Sequence, residues 1–290
     1  MDQVRARRFV VQTNGLLVRS LDPGYWRRFD AVLLSIDGPR EVTDFYRGRG
    51  VYDSVLSAAR WLRRIGFSGD LIARMALSER GDVYRDVTHL LDLGLFDHVH
   101  WQLDVIWSDG WEDFDGWAGR YREGLSRLVD LWLGEARRGR VLGVVPILGV
   151  LRVRLFGGGY RLPCGAGRDA FAISTDGRIL ACPIAVQESW AVVGRVGSVR
   201  DPEEIRDSVL IGEPCTSCPY YRYCGGRCLY AYRERLWGEE GFWKVCDLTR
   251  HLVDEVLRIA PEVEELLRAG VIRRREVDYP PFNNTTEIIP

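Results

Sequence analysis

The chain has 290 residues, enough for one large domain or two ordinary ones. Its formal net charge is −1, and 46% of its residues are hydrophobic, as in a soluble globular protein. A net charge this close to zero produces no overall electrostatic field that would attract a nucleic acid or an acidic membrane surface. No apolar run reaches the roughly 18–20 residues that a membrane helix needs. We therefore expect no nucleic-acid partner, no membrane partner and a cytoplasmic location, where clustered cysteines stay reduced.

The first half of the chain alternates short apolar runs with helical patterns. Four apolar, β-rich segments predict strands at 8–12, 31–36, 71–77 and 98–105. Apolar residues recur at helical spacing in 52–62, 83–91 and 117–136. This repeated order predicts a parallel sheet with right-handed crossovers, and site residues in the loops at the carboxyl ends of its strands.

The second half has a different pattern. The segment 141–156 fits either a strand or a helix, and the glycines at 157–159 indicate a linker. The segment 170–181 then predicts a hairpin with Gly177 in its turn. A helix is expected from about Asp247 to a break at Pro261, with a short second helix ending at Gly270. The tail from Asp278 onward is expected to be poorly ordered.

All 7 cysteines lie in this second half, at Cys164, Cys182, Cys215, Cys218, Cys224, Cys228 and Cys246. Thiolates are soft ligands that suit Zn²⁺ or iron–sulfur clusters. Two all-cysteine zinc sites need eight cysteines, and His251 is the only histidine beyond residue 100. The odd count favours two iron–sulfur clusters, one with an iron that lacks a cysteine ligand; structural zinc stays open as the alternative.

The spacing C-x12-G-x4-C … CxxC-x5-CxxxC … C uses every cysteine of the chain. It resembles the SPASM domain, the auxiliary-cluster module of radical S-adenosylmethionine (SAM) peptide-modifying enzymes. The resemblance implies two auxiliary [4Fe–4S] clusters. Cys215, Cys218, Cys224 and Cys246 would hold one of them. Cys164, Cys182 and Cys228 would hold three irons of the other, whose fourth iron is open or bound by a non-cysteine group or the substrate.

The first half resembles the same family. VQTNG is similar to the third strand of a radical SAM barrel, LLSIDGPREVTDFYRG to the fourth strand and its loop, and WQLD to the sixth. The resemblance implies that Ser35 and Arg47 contact the carboxylate and amino-acid end of SAM. It also implies that Thr13, Asn14 and Gln102 line the same cavity. Arginine is the natural bidentate partner of a carboxylate.

The fold class implied is α/β. Residues 1–156 would form a partial (β/α) radical SAM barrel from about its third strand, 157–250 a cysteine-rich SPASM iron–sulfur domain, and 251–290 a C-terminal helix and tail. The implied enzyme cleaves SAM to a 5′-deoxyadenosyl radical, which abstracts hydrogen from a peptide or protein substrate. Its implied partners are that substrate and an electron donor such as a ferredoxin or flavodoxin.

The chain departs from the family pattern in two respects. No cysteine precedes Cys164, so the CxxxCxxC motif that binds the SAM-cleaving cluster is absent, as is the Gly-Gly-Glu stretch. We expect an N-terminally truncated, inactive fragment rather than a naturally short protein, whose first strand would be an exposed apolar edge. Two further functions stay open: a non-catalytic iron–sulfur binding or electron-transfer module, and a zinc-stapled interaction protein.

Aromatic and acidic residues also gather around the predicted strand at 98–105. Core packing is the favoured interpretation of its tryptophans, and a peptide-binding wall is the alternative. The carboxylates are candidates to orient a substrate or to act as a base. The residues concerned are Trp101, Trp107, Trp111 and Trp117, with Asp104 and Asp109.

Overall fold

The computed structural model describes residues 6–104 and 111–280. The strands of its larger sheet are β1 (Val10–Thr13), β2 (Ala31–Ser35), β3 (Asp70–Leu77) and β4 (His98–Leu103). They lie in the order β1-β2-β3-β4, and all three pairings are parallel. The predicted parallel sheet is therefore confirmed. Trp107 and Asp109 lie outside the described residues.

Helices follow the strands, three of them at the predicted positions 52–62, 83–91 and 117–136. They are α1 (Pro23–Trp26), α2 (Arg40–Arg47), α3 (Val51–Arg64), α4 (Val83–Asp92), α5 (Phe114–Arg137) and α6 (Val145–Phe156). The side chain of Asp82 accepts from the Arg85 amide and caps the start of α4. The ambiguous segment 141–156 is mainly helical, and Val144 forms a single parallel bridge with Val99.

The two faces of the sheet bury different sets of side chains. Val32 and Leu34 belong to a large core shared with the helices. Their neighbours Leu33 and Ile72 are just as buried but form a separate small cluster on the other face. Such burial on both faces explains why these strands are apolar at almost every position.

The cysteine-rich half contains little regular structure. Its elements are β5 (Ala172–Ile173), β6 (Arg178–Leu180), β7 (Val192–Arg195), α7 (Tyr221–Cys224), α8 (Leu229–Glu234), α9 (Gly238–Arg268) and α10 (Arg274–Val277). Strands β5 and β6 pair antiparallel, so the predicted hairpin is confirmed, and β7 extends it to three strands. A small core of its own holds this part together, with Leu162, Ala181 and Leu229 at its centre.

Helix α9 differs from the sequence-based expectation. It starts well before Asp247 and runs through Pro261, so the predicted break at that proline is wrong. A proline removes one backbone hydrogen bond. Leu252 and Val256 are buried in the large core, and this packing against α5 and α6 outweighs the local cost. The predicted domain boundary at residue 250 falls inside this helix.

The start of the C-terminal tail is also more ordered than predicted. Tyr279 is 2% exposed, and its ring meets His98 edge-on with 4.8 Å between the centroids. Burial of a large aromatic ring against the sheet explains this order. Residues 281–290 lie outside the described part of the chain. Among the described helices, none has the length and apolar character needed to cross a bilayer.

Candidate functional site

The carboxyl ends of the four parallel strands bring the expected SAM-binding residues to one edge of the sheet. Thr13 and Ser35 are the last residues of β1 and β2, and Gln102 lies one residue from the end of β4. Asn14 directly follows β1. Because parallel strands end at the same edge, the structure gathers these four residues as predicted from the motifs. Their contacts with SAM stay predictions.

Strand alternation decides which side chains face the interior of the partial barrel. Ser35 lies two residues after Leu33, so it shares the face that does not carry the helices. The ladder register sets Arg74 beside Ser35 and His100 beside Arg74. Gln102 shares the face of His100 by the same alternation.

Arg74 and His100 are two buried polar residues of this face that our sequence reading missed. They are 6% and 0% exposed, and Arg74 Nη1 donates to the carbonyl of Met75 at 2.8 Å. The period-two series of polar residues from His98 through His100 and Gln102 was the available signal. This alternation was overlooked because the apolar residues of the segment were enough to predict a strand.

The turn after β1 uses its polar side chains locally. The hydroxyl of Thr13 accepts from the Gly15 amide at 3.2 Å, and Asn14 Oδ1 accepts from the Leu16 amide at 3.1 Å. These bonds hold the turn, for which a positive φ of 79° at Gly15 is also required. Thr13 and Asn14 therefore shape the rim of the sheet edge, whatever they bind.

Arg47, expected to contact the carboxylate of SAM, has a carboxylate partner in its own chain. Its Nε and Nη2 donate to the two oxygens of Asp37, both at 2.6 Å. The Asp37 side chain is 1% exposed and also accepts from the Ala76 amide at 2.8 Å. Asp37 thus anchors Arg47 from α2 to the ends of β2 and β3, a role that we did not predict.

The neighbouring rim is closed by Ser78, whose hydroxyl donates to Asp104 Oδ2 at 2.7 Å. Trp101 and Trp117 are 0% and 2% exposed and lie in the large core. Core packing, the favoured interpretation, is therefore confirmed for these two tryptophans, and they form no peptide-binding wall. Trp111 is half-buried and meets Trp117 edge-on at 4.7 Å.

A second site lies in the cysteine-rich half. Four cysteines, three of them close together in the chain and the fourth in α9, line one cavity: Cys215, Cys218, Cys224 and Cys246. The first two lie in the turns before α7, Cys224 ends α7, and Cys246 lies in α9. The rest of the wall is largely aromatic, with Tyr220, Phe242 and Trp243. This is the set that the resemblance assigns to a single cluster.

The electrostatics of this cavity suit a cationic group. Burial, with the nearby thiolates of Cys224 and Cys246, raises the pKa of the Cys215 thiol to about 11. Burial likewise raises the pKa of the Cys246 thiol, and the guanidinium of Arg250 opposes this rise. Four thiolates would therefore repel one another here unless a positively charged iron–sulfur core compensated them.

An orphaned donor points to the same conclusion. Arg250 Nε is buried and has no hydrogen-bond partner among the described residues, while its Nη2 donates to Cys218 Sγ at 3.8 Å. Sulfides of an iron–sulfur cluster accept such N–H groups. The donor set and the orphaned N–H thus fit a [4Fe–4S] cluster.

The other three cysteines lie around the small core. Cys182 and Cys228 are 5% and 2% exposed, and Cys164 packs against the same core. Burial raises the pKa of the Tyr230 hydroxyl, and the thiolates of Cys182 and Cys228 add to this rise, so both lie near it. In the described part of the chain, no three His, Cys, Asp or Glu side chains are arranged to hold a single metal ion. Cluster cysteines each bind a different iron, so a cluster does not need that convergence.

The four-stranded parallel sheet with its helices, together with the cysteine-rich module, has the fold of the radical SAM class. The family resemblance inferred from the motifs is confirmed by the known proteins that the chain resembles. Two sequences of the cysteine-type anaerobic sulfatase-maturating enzyme, from two Clostridium perfringens strains, are each 22% identical over 245 residues. Each match covers 75% of this chain and 63% of the relative, so the chain spans less than two thirds of that enzyme's length.

Solved structures agree on the fold. Histidine-tagged anSMEcpe with bound AdoMet superposes with a TM-score of 0.60 at 17% identity, over 91% of this chain and 75% of that one. Native anSMEcpe with bound AdoMet and Cp18Cys peptide gives a TM-score of 0.60 at 17% identity, over 88% and 76%. No protein-family model matches the chain.

Proposed function

We propose that this chain forms part of a radical SAM enzyme that modifies a peptide or protein. The observation that carries the proposal is the gathering of four cysteines from separate elements around one cavity, on the same chain as the polar sheet edge. The relatives support the class of reaction: they mature sulfatases, and one structure contains a cysteine peptide. A peptide is accordingly the proposed substrate, a ferredoxin or flavodoxin the proposed electron donor, and the cytoplasm the proposed location.

The cysteines divide between two auxiliary [4Fe–4S] clusters in this proposal. Cys215, Cys218, Cys224 and Cys246 hold the first, while Cys164, Cys182 and Cys228 hold three irons of the second. The fourth iron of the second cluster has a non-cysteine ligand or none. Such clusters supply one-electron transfer when bound. Cys182 and Cys228 are buried, whereas the four cysteines of the cavity are partly exposed and share its wall with aromatic rings.

The sheet edge is the proposed SAM site. Ser35 and Gln102 offer hydrogen bonds from the inner face, while Thr13 and Asn14 shape the adjoining turn. Arg47 is held at this edge by Asp37, and Nη1 is the nitrogen that Asp37 does not engage. Arg47 is therefore proposed to contact the carboxylate of SAM through Nη1.

The residues present do not fit the cluster that cleaves SAM. The 290 residues contain no CxxxCxxC. We therefore assign no cleavage step to this chain, and we expect no 5′-deoxyadenosine from it under reducing conditions. This mismatch favours, as a second candidate function, a non-catalytic iron–sulfur module that transfers electrons and has no SAM site.

Two measurements on the anaerobically reconstituted chain test these functions. We expect about eight irons and eight sulfides per chain, falling to about four in Cys246→Ser and in Cys164→Ser, because each removes a ligand of a different cluster. Zinc without labile sulfide would instead favour the zinc-stapled interaction protein.

Calorimetric titration with SAM then separates the enzyme part from the electron-transfer module. We expect binding that Ser35→Ala weakens about tenfold, through the loss of a hydrogen bond to a charged group. A matched control is Ser57→Ala: Ser57 lies in α3, and its hydroxyl accepts a hydrogen bond from Arg19 Nη2. A fully loaded chain that does not bind SAM at all would support the electron-transfer module.

A further inference from the structure

The guanidinium of Arg250 lies in the wall of the four-cysteine cavity. Arg250 is in α9, four residues after Cys246, so both project from the same side of the helix into the cavity. Arg250 Nη2 lies 3.8 Å from Cys218 Sγ and donates to it. Helix α9 therefore brings a thiol ligand and a permanent positive charge to the same place.

The position of this guanidinium is fixed by aromatic rings. Its carbon lies 5.6 Å from the ring centroid of Tyr220 and 5.6 Å from that of Trp243. Tyr220 is itself held, because its hydroxyl donates to Asp254 Oδ2 at 3.0 Å. Arginine keeps its charge at every pH that a protein survives. The charge beside Cys218 is thus permanent and pre-oriented.

Other charges near the cavity do not cancel that of Arg250. Arg227 also lines the wall and is 9% exposed. Among the described residues, no Asp or Glu side chain lines this cavity, and Asp247, next to Cys246 in the chain, is not part of its wall. Asp247 also pairs with Arg122 on the α5 side. Two guanidinium groups and no carboxylate therefore lie in the wall beside the thiols.

We propose that Arg250 raises the reduction potential of the cluster held by Cys215, Cys218, Cys224 and Cys246. A cluster with four thiolate ligands is anionic, and its reduction adds one more negative charge to the irons without breaking a bond. A fixed cation stabilises the reduced state more than the oxidised state, and an N–H donated to a ligand sulfur acts in the same direction. The inference rests on the cluster assignment made under the proposed function.

The test is a redox titration of the full chain after anaerobic reconstitution, with dithionite as the reductant and electron paramagnetic resonance as the readout. Arg250→Gln is expected to make reduction about tenfold less favourable, which is a fall of about 59 mV for one electron. Arg250→Lys keeps the charge and is expected to shift the potential less. The signal of the three-cysteine cluster should not move, which makes it an internal control.

Arg258→Gln is the matched control on the same helix. Arg258 pairs with Asp130 at 2.8 Å and with Glu255 at 2.7 Å and does not line the cavity, so the potential should equal that of the unaltered chain. An unshifted potential in fully loaded Arg250→Gln would overturn the inference. If that variant does not bind its clusters, Arg250→Lys decides the question. A fully loaded Arg250→Lys chain with a reduction equilibrium constant within threefold of the original supports the role of charge. An Arg250→Lys chain that does not bind the cluster assigns Arg250 to cluster assembly instead. An unaltered chain without labile sulfide would reject the proposed function rather than this inference.

Discussion

Asp37 shows how a buried acidic residue can organise a strand end. Its carboxylate accepts from Nε and Nη2 of Arg47 and from the Ala76 amide. The backbone amide of Asp37 donates to Thr43 Oγ1 at 3.1 Å. A buried carboxylate is costly unless such donors compensate it. From the sequence, the Asp-Gly-Pro stretch indicated only a loop after a strand. The pairing partner is ten residues away, and only the return of α2 over the sheet edge brings it close.

Replacement of Asp37 should therefore destabilise the chain strongly. Asp37→Ala leaves Arg47 and the Ala76 amide without their partner, and we expect a loss of about 3 kcal/mol in the free energy of unfolding. Asp53→Ala removes the bidentate partner of Arg40, but both side chains of that pair are more than half exposed. Its cost should be much smaller, because solvent screens an exposed ion pair. Urea denaturation measures both, and equal losses would contradict the role of burial.

A second residue-scale prediction concerns pH. Burial lowers the pKa of His89, whose Nε2 lies 2.8 Å from the hydroxyl of Tyr52. The folded state then binds its proton less readily than the unfolded state, for which the pKa is about 6.5. This contribution to stability is present above pH 6.5 and is lost as pH falls through the lower, folded pKa.

His89→Gln should accordingly flatten the decline in stability below pH 6.5. The measurement is the urea midpoint at a series of pH values from 7.5 to 5.0 for both chains. His251→Gln serves as the comparison on another helix. A His89→Gln profile that falls as steeply as that of the unaltered chain would show that another group carries the acid sensitivity.

Among elements, those with a strong period were predictable. Strands β2 and β3 and helices α3 to α5 follow from apolar runs and helical spacing, and their bounds were wrong by a few residues at most. Helix α9 was predicted poorly, because Pro261 is a local signal and the packing of Leu252 and Val256 is not. The inner polar face was missed for the same reason: Arg74 becomes a neighbour of Ser35 only through sheet pairing.

The turn that ends α7 makes a testable demand on one glycine. Gly225 has φ of 56°, and a Cβ there would lie 1.8 Å from the carbonyl oxygen of Arg161. Gly225→Ala should therefore displace Cys224 and prevent loading of the four-cysteine cluster, halving the labile sulfide. Gly177→Ala is the control, with φ of 80° but no heavy atom within 4 Å of the added Cβ. Its expected cost is about 1–2 kcal/mol from backbone strain alone, with normal sulfide content.

At the scale of the whole molecule, the chain has two main cores of unequal size. The large one joins the parallel sheet to α3, α4, α5, α6 and α9, and the small one holds the cysteine-rich half. A small core with little regular structure gains much of its stability from bound metal. The change of pattern after residue 156 predicts a division there, and helix α9 is longer at both ends than the helix expected from Asp247 to Pro261.

Removal of the clusters should then loosen one half only. After oxidation and chelation, amide hydrogen exchange is expected to accelerate in 161–236, while β2 and β3 keep their protection. Mass spectrometry of peptic fragments resolves the two regions. Uniform acceleration along the chain would mean that both cores unfold as one unit and would contradict the expected independence.

Helix α9 has a further consequence for how such a protein can vary. One part of the helix carries Cys246 and Arg250, which line the cavity. The following turns carry Leu252 and Val256, which are buried in the large core. One inserted residue between them would rotate the cysteine by about 100° relative to the apolar stripe and advance it by about 1.5 Å. Viable insertions there are limited to about whole helical turns, because only whole turns keep the cavity residues and the apolar stripe on their present sides of the helix.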